Sequence, residues 1–391
     1  MRKYLIVVVY MIAAVAGSSV MAQSQTGGFL SMLPADSVVL YDFFWSGEQR
    51  AADYIMGDVE RAWPWHSPVF DADALTNRSA IWERTVENMR LEGVLADSAD
   101  TVDSLLPLLK ESVELGLLTG EARFFDVAER MLANSVMRCW RLQRASKLKY
   151  EPLAQIMRSV GSMAYAMCGR DIYINMLVRS NVHVHNEAVD FCMQVFNSSP
   201  WYNDTRIRIV KDMNSIEEVV DTVLLSSHRL IVREQATDSV DLTFHLRVPS
   251  WVSGQNILQR YTANCKKLPV VIMVNGVRYR PEVQSGYAVI RGRWAVGDII
   301  SIKMPTPILR VYKEDQPDVV ALQRGPLVYC HGNYARGWSF DVESPVKADF
   351  NQGKEAIILN GELENEYGRK PFIAMPYYLV GEKTQIFLPA K

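Results

Sequence analysis

The sequence predicts an α+β multidomain protein, helical in its N-terminal part and built of antiparallel β-sandwich from about residue 171 onward. Between residues 97 and 169 apolar side chains recur at helical spacing. After residue 170 the apolar runs shorten, grow rich in Val, Ile, Tyr and Phe, and are set apart by Gly, Asn, Asp and Pro. The 391 residues are 49% apolar and 22% charged, which gives globular composition with material for more than one core.

Taken in order, the chain opens on "MRKYLIVVVYMIAAVAGSSVMAQSQ", where Arg2 and Lys3 precede a short apolar stretch and Val20 and Ala22 stand at the −3 and −1 positions of a cleavage site. A signal peptide over 1–22 is expected, and with it an exported protein, periplasmic or secreted, with no later span for a membrane. A polar stretch, 23–36, follows. Val38 to Leu40 is a brief β-type run, a helix-like segment extends to Arg61, and the region to Asp97 reads as irregular around Pro64, Pro68 and Gly93. Three helices come next. The first covers about Ser98 to Leu118, with Pro107 as a potential kink. In the second, Phe125, Ala128, Met131, Leu132, Ser135, Val136 and Cys139 share one face; the third begins near Pro152 and is ended by Gly169. Short strands then fill the rest of the chain, among them "DLTFHLRVPSW" and "GYAVIRGRW", and Asn275-Gly276 supplies a hairpin turn.

A net charge of −2 gives no field that would draw nucleic acid, and the basic run at 141–149 reads as a solvated helix face or a connection into the Pro152 helix. The five cysteines, Cys139, Cys168, Cys192, Cys265 and Cys330, are odd in number and widely spaced, and read as mostly buried apolar residues. His183 and His185 alternate on one strand face; without a third ligand nearby they read as surface decoration ahead of a metal pair. Phosphate loops, zinc-protease signatures and serine-nucleophile motifs are absent. Glu129 in "DVAERML" is the best single carboxylate: beside an apolar stripe it pairs with Arg130 or a neighbour, or faces a cavity, and a paired surface position is favoured. Nine Trp, including Trp45, Trp63, Trp65 and Trp82, suit either sugar stacking or core packing, packing being favoured.

"DIYINMLVRSNV", "LTFHLRVPSW", "GYAVIRGRWAVGDIISIKMP", "VVALQRGPLVYC" and "FIAMPYYLV", in this order across 170–391, resemble glycoside hydrolase family 127, the β-L-arabinofuranosidases, and "LTGEARFFDVAERMLAN" resembles a helix of the same family. The resemblance implies an (α/α)6 barrel carrying the active site, followed by two β-sandwiches. Residues 49–97 are too few to hold most of that barrel, so a helical remnant is expected over 37–170, with sandwiches at 171–262 and 263–391.

The resemblance also implies a retaining glycosidase whose nucleophile is a zinc-bound cysteine thiolate, held by Glu-Thr-Cys and Cys-Cys-Pro motifs. The second motif falls at "LKYEP", where Leu148 and Lys149 take the two cysteine positions. The first falls at Thr101 and Asp103, or at Asp100 and Val102, and neither register supplies a cysteine. Only Glu129 is carried over, as a substrate-binding candidate. The expectations are therefore no zinc or other cofactor, no confident catalytic residue, and a catalytically degenerate protein that binds an arabinose-containing glycan or serves an enzyme as an accessory. An active glycosidase using a carboxylate pair and a truncated structural remnant are the alternatives.

Overall fold

The computed structural model describes residues 30–34, 37–42, 72–94, 102–146, 151–197, 204–211, 239–332, 337–354, 356–380 and 385–391. The helix-like segment expected before Arg61, the signal peptide and the Leu148 and Lys149 positions lie outside them. Among the described residues no helix is long and apolar enough to cross a membrane.

Among the described residues, five helices of ten or more residues form the N-terminal layer: α1 (Ala72–Glu87), α2 (Val102–Thr119), α3 (Ala122–Met131), α4 (Met137–Ser146) and α5 (Glu151–Ala164), with a π-helical turn, Leu132–Val136, joining α3 to α4. α1 corrects the irregular reading of 62–97. Its buried side is only Leu75, Trp82 and Val86 in an otherwise polar sequence, too sparse a stripe to declare a helix. Pro107 stays inside α2. Gly120, at φ +66°, ends that helix in the left-handed conformation. Thr119 Oγ1 accepts from the Glu121 amide at 3.2 Å and holds the turn into α3.

The amphipathic reading of α3 gave it one buried face, yet Phe124, Phe125, Val127 and Ala128 are all fully buried. The helix runs through the interior, with every residue from Phe124 to Met131 buried. The third helix stops five residues before Gly169: α5 ends at Ala164, and Tyr165–Cys168 is a strand turning through Gly169 into Asp171–Ile174. Apolar residues continue unbroken across that junction, so periodicity alone could not mark the change.

Two sheets face each other in the middle of the molecule. One joins, in spatial order, Ser31–Met32, Tyr165–Cys168, Asp171–Ile174, Ser239–Arg247, Tyr287–Ala295 and Glu282–Gln284. The other joins Val277–Tyr279, Val271–Val274, Ile299–Lys303, Asp204–Val210, Asp190–Asn197, Arg179–His185 and Val38–Asp42. Phe191 of the second sheet meets Phe244 of the first edge to face at 6.3 Å, which places the sandwich core between them. Asp171–Ile174 runs parallel to Ser239–Arg247, a departure from the all-antiparallel expectation.

The expected division at residue 262 moves. The five strands from Val271–Val274 to Ile299–Lys303 pair within the middle sandwich, so the C-terminal unit starts after Met304. That unit is one continuous antiparallel sheet of eight strands, and Tyr261–Ala263 crosses over to form its edge.

Candidate functional site

The segment "LTGEARFFDVAERMLAN" is the joint of the molecule. From α3, Asp126 and Glu129 point at Arg247, the last residue of Ser239–Arg247. The guanidinium donates through Nη1 to Asp126 and through Nη2 to Glu129 Oε2 at 2.5 Å, and all three side chains are buried. Its Nε donates to the Asn175 carbonyl. The Ser250 amide donates to Asp126 Oδ1 at 3.3 Å.

Asn175 extends this network. Its side chain donates to the Met163 carbonyl in α5 at 3.2 Å and accepts from the Tyr287 hydroxyl at 2.8 Å, so the end of α5 is tied to both central strands of the first sheet. One guanidinium fork and two carboxylates at i, i+3 on one helix face satisfy each other, all three side chains being buried.

Toward the C-terminal sheet the same helix uses two other residues. Arg130 Nη1 donates to the Leu91 carbonyl at 3.0 Å, and both Nη atoms reach Gln323 Oε1 at 3.3 Å. Asn134, in the π turn, donates to the Arg130 carbonyl at 2.8 Å and the Pro326 carbonyl at 2.9 Å, and accepts from the Val328 amide at 2.9 Å. The wider π turn sets Asn134 against the backbone of the Gly325-Pro326 turn.

Electrostatics follow from burial. Asp126 is pushed up to about 6, chiefly by loss of solvation, with Arg247 opposing the shift and Glu129 adding to it. Arg130 is pulled down to about 10 by burial, opposed by Asp126 and Glu129. Two cations and two carboxylates share this interior.

Glu129 is thus paired as expected, but its setting is corrected: it is 1% exposed, and its partner is Arg247 in place of Arg130. It lines neither described cavity. Arg247, Asp126, Gln323 and Asn134 were missed as a group, although each stands in a segment that carries the resemblance. The signal was there: "DVAE", "LRVPSW" and "QRGPL" are charged or polar stretches inside otherwise apolar elements, and buried charges need partners.

Next to the cluster lies a cavity of about 920 Å³ between the start of α3 and the middle sandwich. Asp126 reaches its wall, and its rim carries Glu121, Arg123, Lys267, Arg278 and Arg280 around Tyr279. Arg123 Nε donates to Glu121 at 2.6 Å, Nη1 donates to Glu83 at 2.7 Å, and its guanidinium lies over the Phe124 ring at 4.6 Å.

Trp82 is core: its indole N–H donates to Ser112 Oγ at 2.8 Å and its ring meets Phe124 edge to face at 4.6 Å. Trp140, Trp251 and Trp294 are buried as well. Trp45, Trp63 and Trp65 lie outside the described residues. Of the cysteines, Cys192 and Cys330 are buried and Cys139, Cys168 and Cys265 half-buried.

Residues 171–306 match the family profile described as "Beta-L-arabinofuranosidase, GH127 middle domain". The likeness to a GH127 middle domain thus covers about a third of the chain. The match ends just after Met304, where the sheets also divide. The fold aligns with a GH127 β-arabinofuranosidase at 18% identity and a TM-score of 0.65, covering 86% of this chain and 60% of that one. A GH127 β-L-arabinofuranosidase from Geobacillus stearothermophilus T6 aligns at 17% identity and 0.63, covering 88% and 59%; a protein described as a glycoside hydrolase aligns at 14% and 0.53, covering 72% and 51%. At such identities the likeness is one of fold. The chain spans about 60% or less of the length of each. No curated protein matches the sequence.

The cysteine positions of the zinc motif that the GH127 resemblance implies lie outside the described residues, and in sequence they hold Leu148 and Lys149. An alkyl group and an ammonium are not thiolate ligands; Asp103, at the first turn of α2, is exposed.

Proposed function

We propose that this chain is an exported, carbohydrate-binding relative of the GH127 β-L-arabinofuranosidases that does not carry out their reaction, its helical layer being a remnant of an (α/α)6 barrel. The observation that carries this reading is the commitment of Asp126 and Glu129 to Arg247. The carboxylates best placed to serve a sugar-facing helix are instead both bonded to one buried guanidinium, which gives them a role in the fold. The absence of cysteine at 148 and 149 removes the nucleophile that the resemblance calls for.

Binding is assigned to the 920 Å³ cavity, which falls in the size range of small-ligand sites. Its rim offers guanidinium and ammonium donors from Arg123, Lys267, Arg278 and Arg280, a carboxylate acceptor from Glu121, and one aromatic face, Tyr279. That combination suits a hydroxyl-rich ligand such as an arabinose-containing glycan.

The experiment pairs two measurements on the mature chain. Titration calorimetry with arabinan oligosaccharides is expected to show binding that Arg278→Ala with Tyr279→Ala weakens at least tenfold. Incubation with aryl arabinofuranosides is expected to release no aryl alcohol. Turnover would overturn the non-catalytic reading, and calorimetric silence toward all arabinose oligomers would overturn the glycan assignment.

A further inference from the structure

The hairpin formed by Arg179–His185 and Asp190–Asn197 carries a group of side chains that neither the carbohydrate reading nor the buried cluster uses. His183 and His185 alternate along the first strand, so both imidazoles project from the face turned away from the sandwich core, while Val182 and Val184 fill the core. Their rings are 5.8 Å apart. The third group missing from the sequence reading comes from the partner strand. Asp190 stands directly across from His185, and its carboxylate spans both rings: Oδ1 is 2.8 Å from His183 Nε2 and Oδ2 is 3.5 Å from His185 Nδ1. Cys192 lies directly across from His183 on the same face.

From this arrangement we infer a binding site for a divalent transition-metal ion of the zinc type, held by His183, His185 and Asp190, with Cys192 next in register. The three ligand atoms lie within 4.8 Å of one another. Around an ion with bonds of about 2.0–2.2 Å, tetrahedral ligand atoms sit roughly 3.3–3.5 Å apart. The two Asp190 oxygens stand 2.8 and 3.5 Å from the two ring nitrogens, so bringing the three ligand atoms from within 4.8 Å to that spacing takes only rotation of exposed side chains. Two imidazoles with one carboxylate favour zinc, copper or nickel over magnesium or calcium, which prefer all-oxygen sites.

The backbone beneath is braced. Asn186 Oδ1 accepts from the Ala188 and Val189 amides at 2.7 and 2.9 Å, and its Nδ2 donates to the Gly169 carbonyl at 2.8 Å, fixing the turn that joins the two ligand strands. Among the described residues this is the group of His, Cys, Asp and Glu that comes close enough to share an ion. Bound metal would clamp the hairpin closed.

The test uses the untagged full chain and Zn²⁺ alone. Wild-type protein is expected to retain one equivalent of zinc through gel filtration and to unfold several degrees higher with Zn²⁺ than with EDTA. Mg²⁺ is expected to change neither. His183→Ala and His185→Ala should each weaken zinc binding at least tenfold, and the double variant should abolish both the retained metal and the thermal shift. His183→Gln with His185→Gln, which keeps polar groups at both exposed positions, serves as a second variant with the same expected loss. Absence of zinc uptake by wild type, or an unchanged thermal shift in both double variants, would overturn the assignment.

Discussion

Arg247 holds Glu129 at 2.5 Å across 118 residues of sequence, and each side chain is only 2% exposed. The same guanidinium holds Asp126, so a single cation on the middle sandwich neutralises two carboxylates on the central helix.

Replacing that cation should be severe. Arg247→Met leaves two buried carboxylates facing an alkyl chain, and breaking a buried pair by removing one partner typically costs about 3–5 kcal/mol. Urea denaturation is expected to show a lower midpoint with an unchanged slope. Glu129→Gln keeps a hydrogen-bond acceptor for the guanidinium and should cost less. A midpoint for Arg247→Met within error of wild type would contradict the clamp.

The second clamp is uncharged. Asn134→Ala removes the acceptor of the Val328 amide and the donor to the Pro326 carbonyl, leaving both groups buried and unmatched. A loss of about 1–3 kcal/mol is expected. Hydrogen exchange should localise it, with the Val328 amide losing protection more than amides of the middle sandwich.

Asp126 makes stability depend on pH in a defined direction. Its folded-state pKa, about 6, lies above the ordinary carboxylate value of 3.8, so between those limits the folded chain binds the proton more tightly than the unfolded one. Its contribution to stability is therefore greatest at the acid end and falls as pH rises from about 4 to about 6. Asp126→Asn does not titrate. Measured against wild type, this variant should gain relative stability over that interval, and thermal melts of both proteins at pH 4, 5, 6 and 7 check it. A relative loss would reverse the sign and refute the burial argument.

Gly286 tests the approach of the middle sandwich to the start of α3. The Ser285 carbonyl accepts from the Ala122 amide at 2.9 Å, and Gly286 sits at φ +84° with its missing Cβ only 2.6 Å from Ala122 Cβ. Gly286→Ala should lower the melting temperature by both steric clash and left-handed strain. Adding Ala122→Gly should recover the steric part alone, so the double variant should melt between wild type and the single variant.

Much of this architecture was legible because the elements that build it keep their period. The α3 stripe, the strand-rich second half and the Asn275-Gly276 turn follow from residue spacing, and "LRVPSW" and "QRGPL" marked the segments that converge on α3. α1 was hidden because three buried residues in sixteen make too thin a stripe, and the end of α5 was hidden because helix and strand share one apolar run. The site was less legible for a physical reason. A carboxylate reads alike in sequence whether water or a guanidinium 118 positions away solvates it, so Glu129 was placed on the surface. Asp190 was overlooked beside His183 and His185 because the hairpin register brings it there, five residues along the chain.

Tyr261–Ala263 leaves the middle sandwich, forms the edge of the C-terminal sheet beside Ile308–Lys313, and the chain then returns to finish the middle sandwich at Val271–Val274. The matched span 171–306 consequently gives a strand away and borrows Tyr165–Cys168 and Val38–Asp42 from outside itself. Two bodies interlaced in this way cannot melt in sequence without tearing a sheet. Calorimetry should therefore record one cooperative endotherm for the full chain, and a gene fragment cut to 171–306 should not fold as an autonomous unit.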